Sequence, residues 1–397
     1  MRIRRTAVYK ALGCAALVIS AAGLLIYPRL SVSAAADGLS LCMSVIVPSL
    51  FPFFVVSSMA VELGLAEGLG KLMAPAMRRL FNVGGACSAA LALGFIGGYP
   101  VGARTAAALY ERGECSRSEA ERLLSFCNNS GPAFILGVVG ASVFSSSRVG
   151  LLLYLVHAAA SIMTGVCFRS YRGSGSSSSA RQKIRPAAAR KSFAEAFTSS
   201  VSGAVASTLN ICGFVIFFTV FIKLLFASGA LDAAARLLAV PLSPFGLERS
   251  DAARLLTGAI ELSSGVWSLT EAGEAIGREA AMAAFMLGWA GLSIHCQTLT
   301  FLCSSGLSAK TYILGKLVHG LMSAALVKII FLVFPFEAEA AAYLAGQVSG
   351  LAAADTRLIL AVSLGCALLI AAIIAIFIRA ERKKVLKGTG KNRENIL

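Results

Sequence analysis

A carboxylate in the middle of an apolar run is costly, and Glu261 occupies that position: the run from Ala252 to Thr270 is broken by Glu261-Leu262-Ser263-Ser264-Gly265. At bilayer depth such a group costs roughly 2.5–3.5 kcal/mol on insertion scales, which makes it a candidate for function. It would bind a coupling cation, or carry a proton if desolvation favours its neutral form. The alternative is a carboxylate held by backbone N–H groups of the broken run. Asn128-Asn129-Ser130-Gly131-Pro132 interrupts a second apolar run, Leu123 to Phe144. A half-helix beginning near Pro132 would aim free N–H groups and its positive dipole end at whatever lies before it, favouring an anion; a capping and kink element is the other reading. Ser293, His295 and Gln297 lie within the run from Ala281 to Cys303 and offer donors and acceptors at the same depth. Arg104 follows the break Gly97-Gly98-Tyr99-Pro100-Val101-Gly102. It could grip a carboxylate with both guanidinium nitrogens or snorkel to headgroups, and snorkelling is favoured, as for Lys223 and Lys328. His157 and His319, on unbroken runs, read as packing residues.

The elements that carry these groups follow from the length of each apolar run. With 57% hydrophobic and 14% charged residues in 397, the chain lies outside the composition of soluble domains, which carry about 25% charge. It reads as an all-α polytopic membrane protein. About 20 residues at 1.5 Å each span the hydrocarbon core. Full spans are then expected at Ala11 to Tyr27, Leu39 to Leu63, Arg148 to Phe168, Val201 to Phe226, Thr311 to Phe334 and Leu358 to Ile378, with Leu123 to Phe144 and Ala281 to Cys303 long enough but broken. The first run follows a basic start and resembles a signal peptide, but it exceeds the usual apolar stretch of about 7–15 residues and is read as an uncleaved helix. Cys87 to Tyr110 and Ala252 to Thr270 are too short on either side of their breaks to cross twice, so both are expected to be re-entrant hairpins. Each follows a Pro-containing amphipathic stretch, Lys71 to Phe81 and Ala233 to Phe245.

The net charge of +16 is confined to short segments beside apolar runs: the N-terminus, the linker from Arg169 to Lys191 and the tail from Arg379 to Lys387. That is the positive-inside pattern, and it argues against nucleic acid as a partner. With these segments cytoplasmic, the flanks of the first hairpin, including Cys115, and the linker at Ser176 fall inside, whereas the more acidic flanks of the second, near Ala272, fall outside. The same series of elements then occurs twice in opposite senses. Inverted repeats with paired broken helices are a common build of secondary transporters, whose substrate and ions bind at the breaks. The expected division is an N-terminal helix and loop (1–38), a first gate-like repeat (39–168), a basic linker (169–195), a second repeat (196–334), and a last helix with a basic tail (335–397). The partners are a small molecule and the lipid bilayer, and homo-oligomers are compatible with this build.

No HExxH, G-x-S-x-G or P-loop pattern occurs, so the chain is not read as an enzyme and no cofactor or metal is expected. The ten cysteines include no CxxC and mostly lie in apolar runs, as small buried side chains do.

At LCMSVIVPSLFPF (Leu41 to Phe53), FIGGYPVGAR (Phe95 to Arg104), SRSEAERLLSFCNNSGP (Ser116 to Pro132) and GAIELSSG (Gly258 to Gly265), the chain resembles sporulation integral membrane proteins of the YlbJ type. That family is similar to nucleoside-recognition gate domains and concentrative nucleoside transporters. The resemblance implies export of dipicolinic acid from the mother cell across the outer forespore membrane. It places the family's GYP hairpin on Gly98 to Arg104, its Asn-containing break on Asn128 to Pro132 and its hairpin glutamate on Glu261, and the chain departs from it at Gly97 and at Leu262-Ser263-Ser264. The expected substrate-binding set is Tyr99, Arg104, Asn128, Asn129, Ser130, Glu261, Ser263, His295 and Gln297, with Tyr99, Phe126 or Trp267 to stack on an aromatic ring. A nucleoside or other metabolite symporter, and a membrane scaffold for spore maturation that transports nothing, are the rival readings.

Overall fold

The computed structural model describes residues 18, 20–62, 65–172, 192–271 and 276–333. Residues 11–17 and 19 of the run from Ala11 to Tyr27, the span at Leu358 to Ile378, the bulk of the linker with Ser176, the tail and Ala272 lie outside the described residues. Within them every regular element is helical.

The element order occurs twice. A long apolar helix opens each copy, Pro28–Leu41 continuing through Cys42–Ile46 into Val47–Glu62 in the first and Phe193–Ala227 in the second. The first of these begins at Pro28 rather than at Leu39, because proline at a helix start forfeits only an N–H that has no partner there. Phe193–Ala227 is started by a capping box, Ser192 with Glu195. At 35 residues it is about 52 Å long, more than a bilayer core needs when upright. Only 22% of its most apolar window is buried inside the protein, so its Leu209 and Phe217 present apolar surface outward, as a lipid-facing helix does. Four described helices are long and apolar enough to cross, or six if each bent pair counts as one span.

The bent pairs occupy equivalent places. Leu72–Phe81 meets Gly85–Gly97 at 108°, and Ala230–Phe245 meets Arg249–Ile260 at 113°. Each is followed by a break and a second hairpin arm, Val101–Glu111 and Leu262–Trp267. Next comes a discontinuous helix: Arg117–Leu124 with Ala133–Val143 in the first copy, Ile276–Trp289 with Gly291–Ser305 in the second. Ser147–Cys167 and Ala309–Val333 close the copies. His157 and His319 lie on these two closing helices. The two histidine rings lie 4.4 Å apart, where the copies meet.

One break differs in place from the sequence reading. The second discontinuous helix is interrupted at Ala290 and Gly291, with φ of 81° and 80°, and not at Ser293 to Gln297, which lie on the helix that follows. The first is interrupted where expected, between Ser125 and Pro132, and its second half winds with the wider π-type bonds, Phe144 N–H donating to Val139 C=O at 3.0 Å.

Buried ion pairs tie the ends of the elements. The Glu121 carboxylate accepts from Arg117 Nε at 3.0 Å, Arg172 Nη1 at 2.9 Å and Ser308 N–H at 3.2 Å, linking the two copies. Asp251 faces Arg254 and Arg278 in the second copy. Asp232 pairs with Arg236 and Arg249 at the surface.

Cys115 is only 4% exposed, so its thiol is a poor topology reporter, but Glu114 beside it and Ser250 at the other hairpin's flank are exposed. If the copies are inverted, Glu114→Cys and Ser250→Cys lie on opposite sides. With exposed Cys167, Cys296 and Cys303 replaced by serine, an impermeant maleimide applied to intact cells should label Ser250→Cys and spare Glu114→Cys until the cells are opened. Labelling of both from outside would overturn the inverted arrangement.

Candidate functional site

The breaks of both copies converge on one cavity. Its wall is formed by the first hairpin tip (Gly98, Tyr99), the first helix break (Ser130, Gly131), the second hairpin tip (Glu261, Leu262, Ser263) and the start of the half-helix after the second break (Ser293, Ile294, Gln297). Phe53, Phe54, Phe134 and Phe214 complete it from the helices around. The cavity measures about 60 Å³, room for roughly five waters at 10–15 Å³ each. Aromatic rings with a few convergent polar groups are the usual lining of a small-molecule site.

Glycine lets the backbones meet there. A Cβ on Gly94 or Gly102 would lie 1.8 or 2.0 Å from the Cys127 carbonyl oxygen, so the first hairpin can seat on the break only without those side chains. Gly98, at φ 69°, turns the chain at the tip and brings its backbone against Gly131.

Glu261 is 2% exposed and ends the arm Arg249–Ile260 in extended backbone. Its carboxylate accepts from Ser264 N–H at 2.6 Å, capping Leu262–Trp267, and Ser293 Oγ donates to its other oxygen at 3.5 Å, a long contact. It therefore caps a helix and faces the cavity at once, and among the described residues it is the one carboxylate in the cavity wall. Ser263 and Gln297 lie beside it on the wall.

The two asparagines sit behind the wall. Asn128 Oδ1 accepts from Ala103 N–H at 3.4 Å and its Nδ2 donates to Thr298 Oγ1 at 3.2 Å, joining the first hairpin, the first break and the second copy's half-helix. Asn129 Nδ2 donates to Phe126 C=O at 2.9 Å, while its Oδ1 is buried and has no hydrogen-bond partner among the described residues. Ser130 reaches the wall, its N–H donating to His157 Nε2 at 3.0 Å. His295 is buried outside the cavity wall, Nδ1 against Tyr312 OH at 2.9 Å and its ring edge-on to Trp289. Arg104 is exposed, one turn beyond the tip, and does not line the cavity. Of the rings offered for stacking, Tyr99 is in the wall, whereas Phe126 is buried on Phe81 at 4.3 Å and Trp267 lies elsewhere.

The sequence reading missed Lys316 altogether. It is 1% exposed on the last helix of the second copy, and its Nζ donates to Tyr99 OH at 2.7 Å, directly behind the cavity wall. His319, assigned to packing, is bonded to it. The rule that singles out Glu261 applies equally to a lysine inside the run Thr311 to Phe334 and would have found it.

Comparison with known proteins follows the same outline. A family profile described as nucleoside recognition, the gate domain, matches residues 43–169, which is the first copy. The sporulation integral membrane protein YlbJ of Bacillus subtilis is 30% identical over 320 residues, covering 77% of this chain and 78% of that one. The chain belongs to the YlbJ family. Two solved structures of variants of CNTnw, a concentrative nucleoside transporter, share its fold. One in an outward-facing state has a TM-score of 0.53 and one in an intermediate state 0.52, each at 15% identity over 83% of this chain and 87% of theirs. This YlbJ-family chain is thus a multi-pass integral membrane protein with a transporter-like arrangement of broken helices.

Proposed function

We propose that the protein transports a small aromatic dicarboxylate, dipicolinate, out of the mother cell during sporulation. The observation that carries transport is the meeting at one cavity of both hairpin tips, the first helix break and the start of the half-helix that follows the second break. A scaffold has no need of backbone interruptions gathered at one cavity, whereas alternating access uses them to bind a molecule and release it by moving one copy against the other. Family membership supports sporulation as the setting. The half-helices beginning after Pro132 and at Gly291 present positive dipole ends at the cavity, which favours carboxylates, and Tyr99 or the phenylalanines of the wall offer ring faces.

Glu261 and Gln297 favour a second reading. A carboxylate and an amide on one wall match the hydroxyls and amides of a nucleoside, and a dianion would need Glu261 protonated or cation-bound. The reading places the protein in the cell membrane or outer forespore membrane, with N-terminus, linker and C-terminus cytoplasmic. Proteoliposomes holding the purified protein should take up radiolabelled dipicolinate, saturably and in competition with the unlabelled compound, and leave nucleosides outside. Nucleoside uptake without dipicolinate uptake would establish the second reading, and no flux of either would favour the scaffold.

A further inference from the structure

Lys316 is buried on the last helix of the second copy, and among the described residues no carboxylate pairs with it, yet three acceptors surround its Nζ. Nζ lies 2.7 Å from Tyr99 OH, 2.9 Å from Asn128 C=O and 3.3 Å from His319 Nδ1. Each of those atoms is committed as an acceptor. Tyr99 gives its own proton to Leu287 C=O at 2.7 Å, and His319 must donate from Nε2 to His157 C=O at 2.9 Å, which leaves Nδ1 unprotonated. A neutral amine has two hydrogens and would leave one acceptor unanswered, so this geometry fits an ammonium. The Tyr99 ring, with its centroid 4.8 Å from Nζ, adds a cation–π contact.

The acceptors come from the first hairpin tip, the first helix break and the last helix of the other copy, so the ammonium joins three elements at the point where the hairpin closes on the break. Neutral oxygen and nitrogen atoms converging on one buried positive charge are what a monovalent cation site requires. We propose that Lys316 is a tethered cation: its ammonium permanently fills a monovalent-cation site between the Tyr99 tip and the Asn128 carbonyl, so closure of the first hairpin needs no free sodium ion. The tether also fixes which movements are open to the hairpin, since it cannot leave the break without giving up Tyr99 as an acceptor. Only the flux arm of the test rests on the transport reading; the binding arm needs no substrate.

The binding arm compares purified wild type with Lys316→Ala in detergent at constant ionic strength, with chloride salts of sodium, ethylammonium or choline. Wild type should melt at one temperature in all three. Lys316→Ala should melt about 5–10 °C lower in choline, since charge-assisted bonds are lost, and recover saturably with ethylammonium or sodium, which refill the vacated site. A wild-type melting temperature that rises with sodium would show a site served by free ions and overturn the proposal, as would a variant insensitive to small cations. If Lys316→Ala cannot be isolated, Lys316→Met keeps the stem without the charge. Its amide hydrogen exchange should quicken about tenfold in residues 94–104 and stay unchanged in 252–267, and an equal or absent change in both hairpins would count against the tether. In proteoliposomes the wild-type flux should be the same in sodium and choline buffers. Absence of any flux would refute the transport reading and leave the binding arm to decide the cation site.

Discussion

Glu261→Gln is expected to leave the protein folded and inserted while lowering transport about a hundredfold, the rate equivalent of roughly 2.7 kcal/mol. The amide is isosteric and retains an oxygen, so the acceptor for Ser264 N–H at 2.6 Å and with it the cap of Leu262–Trp267 survive. What disappears is the ionisable group in the cavity wall. A protein that needed only a cap could use asparagine or serine at that position without meeting the insertion cost of a carboxylate. Initial rates in proteoliposomes, taken across pH alongside melting temperature, decide it. Wild-type rates at every pH would reduce Glu261 to its capping role.

The largest structural effect is expected from Gly102→Val. Its Cβ would fall 2.0 Å from the Cys127 carbonyl oxygen and 2.7 Å from the carbonyl carbon, and both belong to backbone that cannot rotate away. Overpacking of flexible side chains costs about 1–3 kcal/mol, and a clash with fixed backbone exceeds that range. The hairpin should fail to seat on the break, and the variant should elute as aggregate in fluorescence-detected size exclusion. Gly213→Ala, whose Cβ would meet nothing within 4 Å, is the matched control and should behave as wild type. A monodisperse Gly102→Val with wild-type melting would mean that this close approach does not hold the hairpin in place.

Gly102 meets Cys127 inside the first copy, whereas Glu261 faces the cavity that both copies line, and the two hairpin tips carry different groups to that cavity. The first tip is held against a buried ammonium through Tyr99, and the second presents a carboxylate at Glu261. The two charges flank one cavity, so movement of either hairpin changes the field that a bound anion or cation feels. The rings of His157 and His319 lie 4.4 Å apart, tilted by 42°: His157 Nε2 accepts from the Ser130 N–H and His319 Nδ1 faces Lys316 Nζ. Neither histidine is a mere filler of space.

The amino-acid sequence by itself determined the membrane character, the hairpins, the first helix break and the presence of a carboxylate, Glu261, at a hairpin break. Those features are local: apolar length decides whether a run can cross, Gly and Pro decide where it breaks, and a carboxylate in an apolar run is costly wherever the run lies. It misplaced the second break because the chain turns at Ala290, an alanine held in the left-handed region by its surroundings, while polar Ser293, His295 and Gln297 drew attention downstream. Only the tertiary structure decided that Ser130, and not Asn128 or Asn129, reaches the cavity, that Arg104 stays outside it, and that Lys316 stands behind Tyr99. Which face of a helix turns inward at a break depends on what the other copy packs against it, and Lys316 meets Tyr99 because helices far apart in the chain pack together, with Gly315 close against the Ser125 backbone.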